Sequence, residues 1–131
     1  MGGKQKGGNI HVVCRFRPTK KVELEKYGAS GNLDNFQLDA DRGSIECTAP
    51  AYDRRMYFFD RVFGLDTQQA DMFEEVSEVV DQVMTGFNGC VMAYGQTSSG
   101  KTHTMEGPSL TDPVMRGVIP RTIEKLFEEI Y

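Results

Sequence analysis

The chain has 131 residues, 39% hydrophobic and 26% charged, with a net charge of −4 at pH 7. That length supports one domain with a real core, and the acidic balance argues against a general nucleic-acid-binding surface. No apolar run reaches a membrane span or a signal-peptide core, so neither a membrane nor a secretory role is expected.

Residues 1–8 read as a flexible, basic, glycine-rich leader. Ile10-His11-Val12-Val13-Cys14-Arg15-Phe16-Arg17 is β-branched and apolar and stops at Pro18, a strand with a breaker after it. Residues 20–35 are polar and Gly/Asn-rich and predict an exposed excursion. Phe36-Gln37-Leu38-Asp39 and Ser44-Ile45-Glu46-Cys47-Thr48 alternate around Asp41-Arg42-Gly43, which predicts a hairpin. Residues 57–63 predict one aromatic strand, its rings in the core.

The pattern turns helical over 67–84. Met72, Phe73, Val76, Val79, Val80, Val83 and Met84 form one apolar stripe, with Asp66 or Thr67 to cap it and Gly86 to end it. The carboxylates Glu74, Glu75, Glu78 and Asp81 read as a solvated face. Cys14, Cys47 and Cys90 have no C-x-x-C spacing and read as buried, reduced thiols.

Gly89-Cys90-Val91-Met92-Ala93-Tyr94 predicts a buried parallel strand. It leads into Gly95-Gln96-Thr97-Ser98-Ser99-Gly100-Lys101-Thr102, a full match to G-x-x-x-x-G-K-[ST]. The glycines let the backbone approach an anion, and inward amides can form an anion nest at a helix start. Lys101 is placed for the β- and γ-phosphates of a nucleotide and the Thr102 hydroxyl for Mg²⁺. The bland reading is a Gly/Ser-rich turn before a helix, which leaves the complete spacing unexplained. Residues 107–117, with two prolines, predict a loop. Pro120 then opens a helix with Ile123, Leu126, Phe127 and Ile130 on its core face. That pattern still runs at Tyr131, as in a chain cut short.

The run Val91-Met92-Ala93-Tyr94-Gly95-Gln96-Thr97-Ser98-Ser99-Gly100-Lys101-Thr102-His103-Thr104-Met105-Glu106-Gly107 resembles the phosphate-loop signature of kinesin motor domains. Cys14-Arg15-Phe16-Arg17-Pro18, Phe58-Phe59-Asp60-Arg61-Val62-Phe63, Asn88-Gly89 and Gly117-Val118-Ile119-Pro120-Arg121 match further elements of that family in the same order. The conventional-kinesin branch is the most similar. The resemblance covers the chain from about residue 9.

The resemblance implies an incomplete α/β P-loop NTPase-type domain of three layers, with a mostly parallel central sheet and a small antiparallel lobe near 36–48. Residues 9–131 would be the N-terminal part of a motor domain. It also implies that Arg15, Arg17, Pro18 and His103 frame the adenine of ATP or ADP. Residues 95–102 would hold the phosphates, and Thr102 the Mg²⁺. By themselves Arg15 and Arg17 would be surface cations beside a strand and His103 an incidental polar residue. Residues 108–116 correspond to the family's inserted loop, otherwise a tolerated exposed loop.

The parent protein is then expected to be a dimeric, cytoplasmic, microtubule-associated ATPase whose tubulin contacts lie outside these residues. The family's switch motifs, N-x-x-S-S-R-S-H and D-L-A-G-S-E, do not occur in the 131 residues. No catalytic residue is therefore assigned here, and the piece alone is expected to be inactive. Two other readings stay open. A small-molecule kinase would account for 95–102 but not for R-x-R-P or G-V-I-P-R, and a non-catalytic nucleotide-binding subunit would account for both.

Overall fold

The computed structural model describes residues 10–28, 35–49 and 53–130. They fall into two units that divide between Asp66 and Thr67. The predicted leader lies outside the described residues, as do positions 29–34 of the polar excursion.

In the first unit, β1 (Val13–Arg15) runs parallel to β5 (Arg61–Phe63), with Cys14 opposite Val62. The ladder is shorter than the predicted 10–17, yet the pairing continues past both its ends. Phe16 N–H donates to Phe63 O at 2.9 Å, and Asp60 N–H donates to Val12 O at 2.9 Å. The Asp60 carboxylate in turn accepts Val12 N–H at 2.7 Å. Val62 and Phe63 are buried on this pair.

The polar stretch after Pro18 contains a helix, α1 (Lys21–Tyr27), where an exposed excursion was expected. Its start is fixed by Glu23, whose carboxylate accepts Lys20 N–H at 2.9 Å while Glu23 N–H donates to Lys20 O at 2.9 Å. Gly28, at φ 68°, ends it with an N–H to Leu24 O at 2.8 Å.

β2 (Phe36–Asp39), β3 (Ser44–Cys47) and β4 (Arg55–Phe58) form an antiparallel sheet in that order. The predicted hairpin is there, with Asp39 opposite Ser44 and Leu38 opposite Ile45. Asp39 Oδ1 accepts Arg42 N–H at 3.0 Å across the turn. Gly43 sits at φ 64°, and a Cβ on it would overlap the carbonyl of Phe59, so this turn admits only glycine. The aromatic strand predicted at 57–63 is two strands. Residues up to Phe58 join the antiparallel sheet, and β5 joins the parallel pair. Between them Phe59 N–H donates to Gly43 O at 2.8 Å. The break also redirects the side chains. Phe63 is buried as predicted, but Tyr57 and Phe58 on the edge strand are exposed.

The second unit holds α2 (Gln69–Met84), α3 (Lys101–Met105) and α4 (Val118–Ile130). α2 matches its predicted span to within two residues, but its N-cap is Gln68. The Asp71 carboxylate accepts the Gln68 N–H at 2.7 Å. Met72 and Val80 of the predicted stripe are buried, while Val83 and Met84 are exposed beside the C-terminal turn, where Gly86 stands at φ 97°. α2 packs on α4, and Lys125 of α4 ties the pair by an ion pair to Asp81 and a bond to Ser77 O at 3.3 Å. Of the predicted core face of α4, Leu126 is half-buried, whereas Ile123, Phe127 and Ile130 are exposed. Val76, Val79, Val80, Ile123 and Leu126 line an apolar groove between the two helices.

Among the described residues a parallel strand pair and an antiparallel sheet both occur alongside helices, and the antiparallel part is larger than predicted, since β4 adds a third strand to the hairpin. Among the described residues no helix is long and apolar enough to cross a membrane.

Candidate functional site

After α2 the chain runs through residues 87–94 without joining a ladder among the described residues. Met92 is 82% exposed and Tyr94 98% exposed, where a buried strand was predicted. An apolar run becomes a buried strand only when neighbours take its N–H and C=O groups, and no ladder among the described residues does so here. Cys90 is exposed as well, against the predicted burial. Cys14 is half-buried, and burial pushes its thiol pKa up, which keeps it protonated and unreactive.

Residues 95–100 then form a tight loop. Gly95 and Gly100 have positive φ, at 157° and 105°, and a Cβ on Gly95 would stand 2.5 Å from Ser99 Oγ. Ser98 is the one described non-glycine residue with positive φ, at 67°. A serine held there costs on the order of 1 kcal/mol and is typical of ligand-gripping turns. Ser99 N–H closes the loop on Gln96 O at 3.1 Å.

Lys101 leaves the first turn of α3 and folds back over this loop. Its Nζ donates to Gly95 O at 2.8 Å and to Gln96 O at 2.9 Å. Of the three ammonium donors these take two, and they hold the charge at the loop's own backbone. Thr97 and Ser98 are exposed on the loop, and Thr102 and His103 are exposed on α3. The structure thus brings Gly95, Gln96, Thr97, Ser98, Ser99, Gly100, Lys101, Thr102 and His103 into one loop-and-helix element.

Arg15, Arg17 and Pro18 stand in the first unit, at and just after the end of β1. Arg17 presents its guanidinium edge to Glu23, Nη1 to Oε2 at 2.7 Å and Nη2 to Oε1 at 2.5 Å, with a further bond to Pro18 O at 3.0 Å. This fork raises the Arg17 pKa and lowers that of Glu23 to about 2. It uses the edge of the guanidinium, whereas stacking on a base uses its face.

Two residues that sequence reasoning passed over shape the far side of the element. Gln69, 5% exposed at the start of α2, donates Nε2 to His103 O at 2.6 Å and to Met115 O at 3.4 Å. Arg121 holds the loop over 108–116 from below, with Nη2 to Pro113 O at 2.6 Å and Nε to Arg116 O at 3.0 Å. Nothing in the sequence marked Gln69, which stands in the polar run Asp66-Thr67-Gln68-Gln69-Ala70-Asp71 ahead of the apolar stripe. Arg121 stood in a recognised motif but without a stated task.

The family model for the kinesin motor domain matches residues 15–131. The kinesin heavy chain of Neurospora crassa is 43% identical over 124 residues, covering 93% of this chain and 13% of the relative. The human kinesin-1 heavy chain is 40% identical over 124 residues, covering 94% of this chain and 12% of its own length. The solved structure of a fast kinesin, studied for its ATPase mechanism and interactions with microtubules, superposes with a TM-score of 0.79. It shows 39% identity over 91% of this chain and 32% of that one. The chain therefore spans about an eighth of the length of these heavy chains, and it belongs to the kinesin motor-domain family.

Proposed function

We propose that residues 95–102 dock Mg²⁺-ATP, and that the chain is the nucleotide-docking part of an ATP-driven motor that moves along microtubules. The observation that carries this reading is Lys101 Nζ held over the loop by the carbonyls of Gly95 and Gln96. An ammonium already stationed at the loop meets a polyphosphate without first being ordered, which lowers the entropic cost of binding.

The residues fit the group. The positive-φ turn at Ser98 and the two glycines let backbone amides converge ahead of α3. Bound Mg²⁺ would neutralise phosphate charge, and the exposed Thr102 hydroxyl is a hard oxygen suited to it. Arg15, Arg17, Pro18 and His103 are assigned to the adenine, by stacking of flat cationic and ring faces.

Relatives of this chain carry kinesin names, and the fast kinesin was studied for microtubule interaction and ATPase action. Microtubule-stimulated hydrolysis, tubulin as partner and dimeric assembly are extended to the whole protein on that basis. A cytoplasmic, microtubule-associated location follows from the same reading. Phosphoryl transfer also needs groups that place the attacking water, and none of residues 95–103 is assigned that role.

The test is a titration of the full chain with ATP, with Mg²⁺ and with chelator. Mg²⁺ is expected to tighten binding at least about fivefold, and Thr102→Ala to remove most of that gain. ATP affinity that ignores both Mg²⁺ and Thr102 would contradict the proposal.

A further inference from the structure

α3 has only five residues, far below the length at which a helix persists by itself. It carries Lys101, Thr102 and His103, so the phosphate loop is only as ordered as the contacts that hold α3. Its C-terminal carbonyls must find donors outside the helix. Thr102 O accepts N–H from Glu106 at 2.8 Å and from Gly107 at 3.2 Å, and Glu106 O accepts from Gly117 at 2.8 Å. The next carbonyl, His103 O, accepts from the Gln69 side chain at 2.6 Å.

We propose that Gln69 is a positioning residue for the phosphate loop. Its buried amide clamps the end of α3 against the returning segment at Met115, and thereby sets Lys101 and Thr102 for the ligand. The inference rests on the nucleotide-docking reading above. Three properties single out this side chain. It is 5% exposed, so its amide needs protein partners. It bridges 34 and 46 residues of sequence to two backbone carbonyls, which a donor-only group can satisfy together. It also stands on the first turn of α2, a sixteen-residue helix packed on α4, so the clamp is anchored on a long helix with tertiary support of its own. Leucine would fill the space but donate nothing. Ionised glutamate would set a carboxylate against two carbonyl oxygens, whereas protonated glutamate could donate again.

The experiment compares Gln69→Leu, Gln69→Glu and, as a control for stability, Val80→Ala on the buried face of α2 toward α4. Affinities of the full chain for Mg²⁺-ATP and Mg²⁺-tripolyphosphate are measured from pH 8 to pH 5.5, beside hydrogen exchange at the amides of Thr104, Glu106 and Gly107. Gln69→Leu is expected to weaken both ligands together by about tenfold and to speed exchange at those amides. Gln69→Glu is expected to be as weak at pH 8 and to recover, relative to the unsubstituted chain, as pH falls and the buried carboxyl protonates. Val80→Ala is expected to lower Tm while leaving both affinities within about twofold.

The idea is overturned if Gln69→Leu keeps its affinities, if Val80→Ala weakens them equally, or if Gln69→Glu shows no relative recovery. Should Gln69→Leu fail to fold, the Gln69→Glu pH series decides. If the unsubstituted chain binds neither ligand, the functional reading falls. The exchange data then judge the clamp alone, with unchanged rates in Gln69→Glu at pH 8 counting against it.

Discussion

Arg17 and Glu23 meet fork to carboxylate, at 2.5 and 2.7 Å, and the same carboxylate takes the N–H of Lys20 at the start of α1. One side chain thus ties Arg17, two residues past β1, to the first turn of the helix that follows. The Arg17 bond, then the Lys20 N–H, hold the Glu23 carboxyl down from its ordinary 4.5 to about 2. A depressed carboxyl contributes fully above its unfolded pKa and loses that contribution as pH falls through the folded one. The tie is therefore expected to be intact above about pH 4.5 and lost on the way to pH 2. NMR titration of the Glu23 side-chain carbons should give a midpoint near 2, and Glu23→Gln should loosen the α1 amides already at neutral pH. A midpoint above 4 would show that the pair does not persist in solution.

Gly107 stands at φ 85°, and a Cβ there would overlap Met115 O and lie 2.6 Å from Gly117 N. Gly86 has a similar φ, 97°, with nothing within 4 Å of the added atom. Gly107→Ala is expected to destabilise by at least about 2 kcal/mol and Gly86→Ala by about 1 kcal/mol, in denaturant unfolding. Equal costs would mean that the close crossing at 107–117 relaxes freely.

Arg121 ties three loop carbonyls, those of Pro113, Val114 and Arg116. Arg121→Lys keeps the charge but loses the planar fork. Both Arg121→Lys and Arg121→Ala are expected to speed limited proteolysis within residues 108–116 several-fold, and Arg121→Ala more. Unchanged cleavage would assign the order of that loop to its own turn bonds, such as Val114 N–H to Asp112 at 2.8 Å.

These cases mark what the sequence could and could not convey. The turn at Asp41-Arg42-Gly43 and the stripe from Met72 to Val80 are local signals, and the hairpin and α2 follow them. The loop 95–100 was legible because its spacing encodes its conformation. α1 was not, since Glu23 acts through Arg17 and a backbone N–H that no periodicity reveals. Nor was the division of 57–63, which depends on Gly43 in the turn between β2 and β3 taking Phe59 N–H. The apolar run 89–94 read as a buried strand because composition reports what a segment can bury, not whether neighbours pair with it. Gln69 escaped because a lone glutamine carries no signature until its two carbonyls are seen.

His103, exposed on α3, is assigned to the base and not to the phosphates. His103→Ala should weaken ATP, ADP and GTP by a few-fold, about 1 kcal/mol of stacking, and leave Mg²⁺-tripolyphosphate within about twofold. A parallel loss for tripolyphosphate would move His103 to the phosphate side of the site.

The central claim is that Lys101 and its loop receive the polyphosphate of ATP, and calorimetric titration of Mg²⁺-ATP into the full chain and its Lys101→Ala variant tests it most directly. Removing the ammonium now held by Gly95 O and Gln96 O deletes a charge-assisted contact of about 1.5–3 kcal/mol. A Kd raised at least about tenfold, with Tm within a few degrees of the unsubstituted chain, is the predicted result. An unchanged Kd in a folded Lys101→Ala variant would contradict it.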